Sequence, residues 1–353
     1  MHPALVACFC FHLYCAGMEL SLEEIARQNV SHIVTQALQH TSAQKAVIIF
    51  DTQFGLTRMV ANAYRVMLPD AVRIDFDMSS KEEILAAFDL LSPGDLVIMV
   101  QSTNFRLNDF RIRLHLFAKK LKVIEHARLA RNTEETWATY IHALAYDQTW
   151  YHETGHGLKN ILDSAQELRY ESGDAVLVVK DGLEAASLNI GDYTGMENVG
   201  GSFPIGEVFT EAKDLTKLNG SVYIDIFADT NFEIEKHEPF RVDIAEGLIV
   251  GYGENTPQLF KDIIEKIKEE ERPIIRELGF GLNRAITREN FLNDITAFER
   301  NLGMHFSIGE KHSIYKKPGI KAYKARYHID VFPVIDRVLA DGVVIFEDGR
   351  HML

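Results

Sequence analysis

The chain has 353 residues, of which 46% are apolar and 25% are charged, a composition typical of folded globular proteins. Thirty-seven basic residues against 51 acidic residues give a formal charge of −14, which argues against a nucleic-acid partner and against an anionic membrane surface. The length suffices for two domains, and no stretch of the sequence suggests a transmembrane helix.

The first 17 residues, MHPALVACFCFHLYCAG, are apolar and contain all three cysteines, Cys8, Cys10 and Cys15. They lack the lysine or arginine that precedes the apolar run of a secretory signal. We interpret residues 1–17 as an extension without a role in the fold, with Met18 as the natural start; a weak export signal is the alternative. Because the rest of the chain has no cysteine, we expect no disulfide framework and a cytoplasmic location.

Helical and strand patterns alternate over residues 18–168. SLEEIARQNVSHIVTQAL has the apolar spacing of an amphipathic helix, which Ser21 and Glu24 begin with a capping box. Apolar strand patterns follow at KAVIIFD, AVRIDFDM, GDLVIMVQS and LKVIEHARL. This alternation predicts an α/β N-terminal domain with a doubly wound parallel sheet. Its first strand–turn–helix has a single glycine and therefore matches no nucleotide-binding motif.

The pattern changes at about residue 169. Strand patterns at DAVLVVKDG, GSVYIDIFAD, NFEIEKHEPFRVDIAEGLIVGYG and YHIDVFP are joined by Asp, Gly and Asn turns, and one long charged helix is predicted at 256–272. We predict a β-rich α+β domain over residues 169–353 that carries the metal site.

The stretch TWYHETGHGLKN contains H-E-T-G-H, which binds zinc when it lies on a helix. His152 and His156 would then share one face, and Glu153 would polarise a metal-bound water. However, Gly155 and Gly157 each cost a helix about 1 kcal/mol relative to Ala, and the periodic helix is expected to begin only at LKNILDSAQELRY. We therefore favour histidines at the surface or at the start of a helix over a zinc-protease motif.

Further acidic and imidazole groups are spread through GEVFT, ELGFG, ERNLGMHF and YHIDVF in the C-terminal half. They are Glu207, Glu277, Glu299, His305, His328 and Asp330. In H-x-D on a strand, His328 and Asp330 point to the same face and can reach one cation. A borderline divalent metal accepts imidazole and carboxylate ligands alike. Such a set could hold two ions that activate water for amide hydrolysis.

The order of these motifs resembles that of the metallo-aminopeptidases typified by aminopeptidase T and aminopeptidase S. That family carries N-x-P-x-G-E-V-F-T, E-L-G-x-G-x-N, a Glu shortly before G-x-x-H-x-A-L-G, and H-W-D. The corresponding segments here are GSFPIGEVFT, ELGFGLN, ERNLGMHFSIG and YHIDVF, in the same order. The resemblance extends roughly from residue 160 to residue 335.

The resemblance implies six metal ligands in this chain. They are Glu207, Glu277, Glu299, His305, His328 and Asp330. It further implies two divalent ions of the zinc, cobalt or manganese type, with Glu277 and Glu207 as catalytic residues and Glu277 as the bridging carboxylate. The implied activity is the removal of N-terminal residues from peptides by a homodimer.

Two positions depart from the family pattern. Glu299 stands one residue further from His305 than the pattern has, and Arg300 occupies the expected place. The position of a tyrosine that assists catalysis in the family holds His312, with Tyr315 nearby. Both departures bear on whether a second metal ion is bound and on peptide hydrolysis.

A second hypothesis follows from the same residues. His305, His328 and Asp330 form a two-histidine, one-carboxylate set, which suits one non-haem Fe(II) ion with open positions. The superfamily looks to include 2,5-dihydroxypyridine 5,6-dioxygenase, a ring-cleaving enzyme. Glu207 and Glu277 would then contact the iron ligands or the substrate. A third interpretation has all these residues stabilising the domain through ion pairs without a metal.

Overall fold

The computed structural model describes residues 20–107, 111–312, 314–321 and 323–353, so the extension predicted over residues 1–17 lies outside the described residues. Helices in this part of the chain are α1 Leu22–His32, α2 Gly55–Met67, α3 Lys81–Asp89, α4 Ile112–Ala118, α5 Trp137–Ala143, α6 Gln148–Ser164, α7 Gln258–Glu270 and α8 Ile295–Phe298. A π-helical turn, Ile33–Ala37, continues α1. None of these helices combines the length and the apolar character that crossing a membrane requires.

The strands fall into a parallel set and an antiparallel set. In chain order they are β1 Ala46–Phe50, β2 Val72–Asp75, β3 Leu96–Val100, β4 Lys122–His126, β5 Glu167–Ser172, β6 Ala175–Lys180, β7 Ser187–Asn189, β8 Gly200–Ser202, β9 Glu207–Thr210, β10 Leu218–Ala228, β11 Ile234–Ala245, β12 Leu248–Tyr252, β13 Ile275–Gly281, β14 Gly303–Ile308, β15 Ile329–Pro333, β16 Arg337–Ala340, β17 Val343–Glu347 and β18 Arg350–His351.

The N-terminal half is built on the predicted parallel sheet, with strand order β2-β1-β3-β4-β8. In β1, Ile48 and Phe50 belong to the core that contains residues of α1 and α2, whereas Val47 and Ile49 belong to the core with α3 and α4. Helices therefore cover both faces, as a buried parallel sheet requires. The edge strand β8 comes from the C-terminal half and pairs with β4.

The C-terminal half forms a large antiparallel sheet of order β18-β17-β16-β5-β6-β10-β15-β14-β13-β9-β7, and β11 and β12 extend it from β10. The structure thus combines the predicted parallel sheet with a β-rich part. Four neighbouring strands, β15, β14, β13 and β9, carry four of the predicted metal ligands, and their register determines how these side chains meet.

The H-E-T-G-H stretch lies inside α6, so the expectation that a helix begins only at Leu158 is wrong. Gly155 permits close packing, because a Cβ there would lie 2.8 Å from Cγ2 of Ile190. Burial of the face of α6 that carries Gly155 outweighs the low helix propensity of glycine. The helix ends at Ser164, and the ELRY part of the predicted helix is strand β5.

His126, the last residue of β4, is fully buried between two tyrosines. Its Nε2 lies 2.8 Å from the hydroxyl of Tyr64, and its Nδ1 lies 2.9 Å from that of Tyr140. Burial lowers the pKa of His126 to about 3. The imidazole is consequently neutral in the folded protein at neutral pH.

This buried imidazole predicts a loss of stability in acid. Its folded pKa lies below the unfolded value of 6.5, so the unfolded chain binds the additional proton and stability falls as the pH drops below 6.5. Between pH 7 and pH 5 the contribution is about 2 kcal/mol of unfolding free energy. Denaturant unfolding of the wild type and of His126→Asn should show a shallower pH dependence in the variant by that amount. Equal slopes would contradict this prediction.

Candidate metal centre

The candidate ligands lie on one face of the antiparallel sheet. In β13, Glu277 and Gly279 alternate with Leu278 and Phe280, which point into the core. Directly opposed residues of antiparallel strands point to the same face. The opposed pairs here are Gly279 with His305, Gly281 with Glu207, Glu277 with Ser307, and Ser307 with Asp330. Register therefore brings Glu207, Glu277, His305 and Asp330 together.

The glycines of ELGFG make room on this face. A Cβ at Gly279 would lie 2.0 Å from Cε1 of His305, and one at Gly281 would lie 1.7 Å from the carbonyl oxygen of Asn301. The His305 ring thus packs against the bare backbone of β13. The motif Glu-x-Gly-x-Gly provides one carboxylate and space for an imidazole beside it.

His305 is fully buried, and its Nε2 faces two carboxylates. Nε2 lies 3.2 Å from Oε1 of Glu207 and 3.2 Å from Oε1 of Glu277. When Nε2 of His305 carries a proton, its N–H has hydrogen-bond geometry toward Glu277 but not toward Glu207. A cation between the three groups would satisfy both carboxylates and the ring nitrogen, as metal coordination requires.

His328 and Asp330 form a second pair of candidate ligands and lie next to each other. Nδ1 of His328 lies 3.0 Å from the Lys311 carbonyl oxygen, to which it donates, so Nε2 is the nitrogen that faces Asp330. Nε2 lies 3.2 Å from Oδ1 of Asp330, a buried oxygen with no hydrogen-bond partner among the described residues. A backbone carbonyl on Nδ1 is the usual way in which proteins orient a histidine for a metal.

His312 also faces the centre, although it was not predicted as a site residue. Its Nδ1 accepts hydrogen bonds from the backbone N–H groups of Ile314 (3.2 Å) and Tyr315 (3.3 Å). The proton is therefore on Nε2, which donates to Oε2 of Glu277 over 2.8 Å. His312 is therefore arranged as a hydrogen-bond donor to Glu277, a candidate ligand.

Tyr315, the other residue considered at this position, does not point to Glu277. Its hydroxyl donates to the carbonyl oxygens of Ala185 (2.7 Å) and Phe209 (3.2 Å). The sequence indicated His312 as a site residue only through its position, which corresponds to that of a tyrosine in the family pattern. Such a correspondence predicts where a side chain lies but not its chemistry.

Glu299 follows α8 and approaches the same centre. Glu207, Glu299 and His305 each offer a ligand atom within 4.8 Å of the others. The neighbouring Arg300 pairs with Glu299, and its Nη1 lies 3.2 Å from Oε2 of Glu207. Arg300, which occupies the expected glutamate position, and the preceding Glu299 thus both enter the carboxylate cluster.

The electrostatics of the cluster favour positive charge. Burial opposes the charged form of His328, but Asp330 and Glu277 outweigh it and raise the pKa of His328 to about 10. Burial, together with the charges of Glu207 and Asp330, raises the pKa of Glu299 to about 8 against the opposing effect of Arg300. The protons on His328 and Glu299 occupy positions from which a divalent ion would displace them.

The residues present fit a divalent metal, because imidazole nitrogens and carboxylate oxygens lie close together and largely buried, and the buried Oδ1 of Asp330 has no hydrogen-bond partner among the described residues. Glu207, Glu299 and His305 are the group whose ligand atoms all lie within 4.8 Å of one another, and Glu277 also contacts His305. His152 and His156 belong to no comparable group in the described part of the chain. His152 Nε2 instead lies 3.0 Å from the Tyr146 hydroxyl, and His156 Nε2 lies 2.9 Å from Asp192.

The architecture, a parallel α/β sheet joined to an antiparallel sheet, is shared with solved structures. No protein-family model and no curated protein sequence matches the chain. The structure is similar to 2,5-dihydroxypyridine dioxygenase from Pseudomonas putida KT2440, with a TM-score of 0.63 and 15% identity over 95% of this chain and 98% of that one. It is also similar to the aminopeptidase AmpT from Thermus thermophilus, with a TM-score of 0.59 and 12% identity over 94% of this chain and 100% of that one. At such identities the likeness establishes a common fold.

Substituting Gly279 tests how the backbone positions His305. Gly279→Ala is expected to displace the ring and to weaken Zn²⁺ binding by at least about 10–100-fold, measured by isothermal titration calorimetry. Gly157→Ala is the matched control, since a Cβ there meets only Cδ1 of Leu353 at 3.9 Å. That variant should keep its zinc affinity and gain up to about 1 kcal/mol of helix stability. Unchanged zinc binding in Gly279→Ala would contradict the arrangement.

Proposed function

We propose that the chain is a metal-dependent hydrolase of the aminopeptidase type, which removes N-terminal residues from peptides. The observation that supports this most directly is the contact of His305 Nε2 with both Glu207 and Glu277. The carboxylates of the GEVFT and ELGFG motifs thus share one buried imidazole. Carboxylate-rich sites suit Lewis-acid ions such as Zn²⁺, Co²⁺ or Mn²⁺.

In this proposal the bound ion and the side chains of the centre have different chemical roles. A bound divalent ion would supply Lewis acidity and lower the pKa of a water. The Glu277 carboxylate can receive a proton from the attacking water and return it to the departing amine, while the Nε2–H of His312, 2.8 Å from Oε2, holds the carboxylate in place. A second acidic side chain of the centre holds the free α-amino group of the peptide.

The proposal includes the remaining predictions about partners and cofactors. The substrates are peptides, the active form is a homodimer, and neither nucleic acid nor a membrane is a partner. The prediction of two divalent ions of the zinc, cobalt or manganese type remains a prediction. The position of Arg300 affects how many ions the centre can bind.

A mononuclear Fe(II) dioxygenase is the second candidate. It is supported by the orientation of His328, whose Nδ1–H is bound by Lys311 while Nε2 faces Asp330. With His305 this gives the two-histidine, one-carboxylate set typical of non-haem iron. The similarity in fold to a dioxygenase extends over nearly the whole chain.

Metal content and reaction type together distinguish the candidates. The purified protein is stripped with chelator, reloaded separately with Zn²⁺, Co²⁺, Mn²⁺ or Fe²⁺, and assayed for hydrolysis of aminoacyl-4-nitroanilides and for oxygen uptake with 2,5-dihydroxypyridine. We expect hydrolysis with the first three ions and its loss in His328→Ala. Oxygen uptake with Fe²⁺ alone would favour the dioxygenase. Unchanged metal content after chelation and in Glu277→Gln would favour purely structural ion pairs.

A further inference from the structure

Arg300 places a fixed positive charge among the candidate ligands. Its side chain is buried, with Nη1 3.2 Å from Oε2 of Glu207 and a second ion pair to Glu299. Those two carboxylates and His305 are the three-ligand group recognised in the described part of the chain. A guanidinium stays protonated at any pH at which proteins fold. A divalent ion bound by that group would therefore lie beside a buried like charge.

We propose that Arg300 occupies the position of a second metal ion, so that this centre binds one divalent ion. The candidate ligands that do not contact Arg300, namely His305, His328, Asp330 and Glu277, would hold that ion. Glu207 lies between His305 and Arg300, with Oε1 3.2 Å from His305 Nε2 and Oε2 3.2 Å from Arg300 Nη1. The inference rests on the metal-dependent function proposed above, but not on which reaction the centre catalyses.

The backbone around Arg300 is fixed in the fold. The amide of Asn283 donates to the Arg300 carbonyl oxygen over 3.0 Å, and the neighbouring Asn301 carbonyl packs against Gly281 without space for a Cβ. The chain therefore cannot withdraw Arg300 from the cluster without breaking contacts of β13. A metal ion entering between Glu207 and Glu299 would have to displace the guanidinium itself.

A second observation separates this guanidinium from an ordinary structural arginine. Its Nε is buried and has no hydrogen-bond acceptor in the described part of the chain, and its Nη1 contacts only the carboxylates of Glu207 and Glu299 among the ion pairs of the structure. A structural arginine usually has its donors satisfied, as buried polar groups generally do. Arg300 thus provides charge to the cluster more than hydrogen bonds to the fold, which is what a substitute for a metal ion must do.

The number of ions bound by the full chain tests this inference. Stripped protein is titrated calorimetrically with Zn²⁺ and with Co²⁺, and bound metal is counted by mass spectrometry after desalting. We expect one ion per chain in the wild type and in Arg300→Lys, which keeps the charge. Arg300→Glu and Arg300→Gln, which remove it, should bind two. Arg128→Gln is the control, since Arg128 pairs with Asp294 outside the centre, and it should bind one.

Each outcome decides the inference. Two ions in the wild type overturn it, as does a stoichiometry that is the same in the wild type and in folded Arg300→Glu and Arg300→Gln. Should Arg300→Glu not fold, the wild type and Arg300→Gln give the answer. Two bound ions together with peptide hydrolysis overturn the inference and leave the proposed function standing. One bound ion without peptide hydrolysis supports the inference and contradicts the proposed function. A chain that binds no ion overturns both.

Discussion

Glu277→Gln is expected to lower kcat/KM for peptide hydrolysis by about 10³-fold or more, while the protein remains folded. Glu277 contacts both His305 and His312, through Oε1 at 3.2 Å and Oε2 at 2.8 Å. Glutamine has nearly the same shape but carries one oxygen and no charge. Its NH₂ group would face an imidazole nitrogen and could neither bind a cation nor accept the His312 proton. Steady-state kinetics, metal content and thermal unfolding of the same preparations measure the three consequences.

The matched control for this substitution comes from the H-E-T-G-H stretch. Glu153 is exposed on α6 and would be the catalytic base of a zinc protease, so Glu153→Gln should leave activity and metal content unchanged. If Glu153→Gln removed activity and Glu277→Gln did not, the chemistry would lie on α6 and the centre described above would be structural.

Local signals in the sequence predicted much of the fold. The capping box of Ser21 and Glu24 is present at the start of α1, with the Glu24 carboxylate accepting from the Ser21 amide over 2.8 Å. The apolar runs of the first half form parallel strands because buried parallel strands need continuous hydrophobic residues. The meeting of His328 with Asp330 was likewise predictable, since the period of a strand fixes which side chains share a face.

Other features depend on contacts between distant segments. Helix α6 forms in spite of Gly155 because Ile190, from a remote segment, packs where a side chain would be. The role of His312 depends on its tautomer, which the amides of Ile314 and Tyr315 determine. Arg300 could be identified in the sequence as a departure from the family pattern. Its contact with Glu207 required the fold.

A buried ion pair behind the centre connects the stability of the sheet with the placement of His312. Arg276, adjacent to Glu277 in β13, pairs with Glu211, and both side chains are almost completely buried. Arg276 also donates from Nη1 to the carbonyl oxygen of Glu310 (2.6 Å) and from Nη2 to that of Tyr315 (2.8 Å). These two carbonyls bracket the segment that carries His312.

Removing one partner of this pair should be strongly destabilising. Arg276→Met leaves the buried Glu211 with only the more distant Lys317, whose Nζ lies 3.9 Å from Oε2, and we expect the unfolding free energy to fall by about 3 kcal/mol, measured by guanidinium chloride denaturation at pH 7. The double variant Arg276→Met/Glu211→Met removes both charges at similar volume and should recover most of that loss. A double variant less stable than Arg276→Met would contradict the assignment of the cost to the buried charge of Glu211.

The same double variant separates stability from catalysis. It restores apolar packing but not the two hydrogen bonds that hold the carbonyls of Glu310 and Tyr315. The 310–315 segment then loses its anchor to β13, and the Nε2–H of His312 is no longer held against Glu277. We therefore expect a stable protein with kcat lowered by about 10-fold or more and metal content unchanged, because His312 donates a hydrogen bond to a candidate ligand and is not one of the proposed ligands.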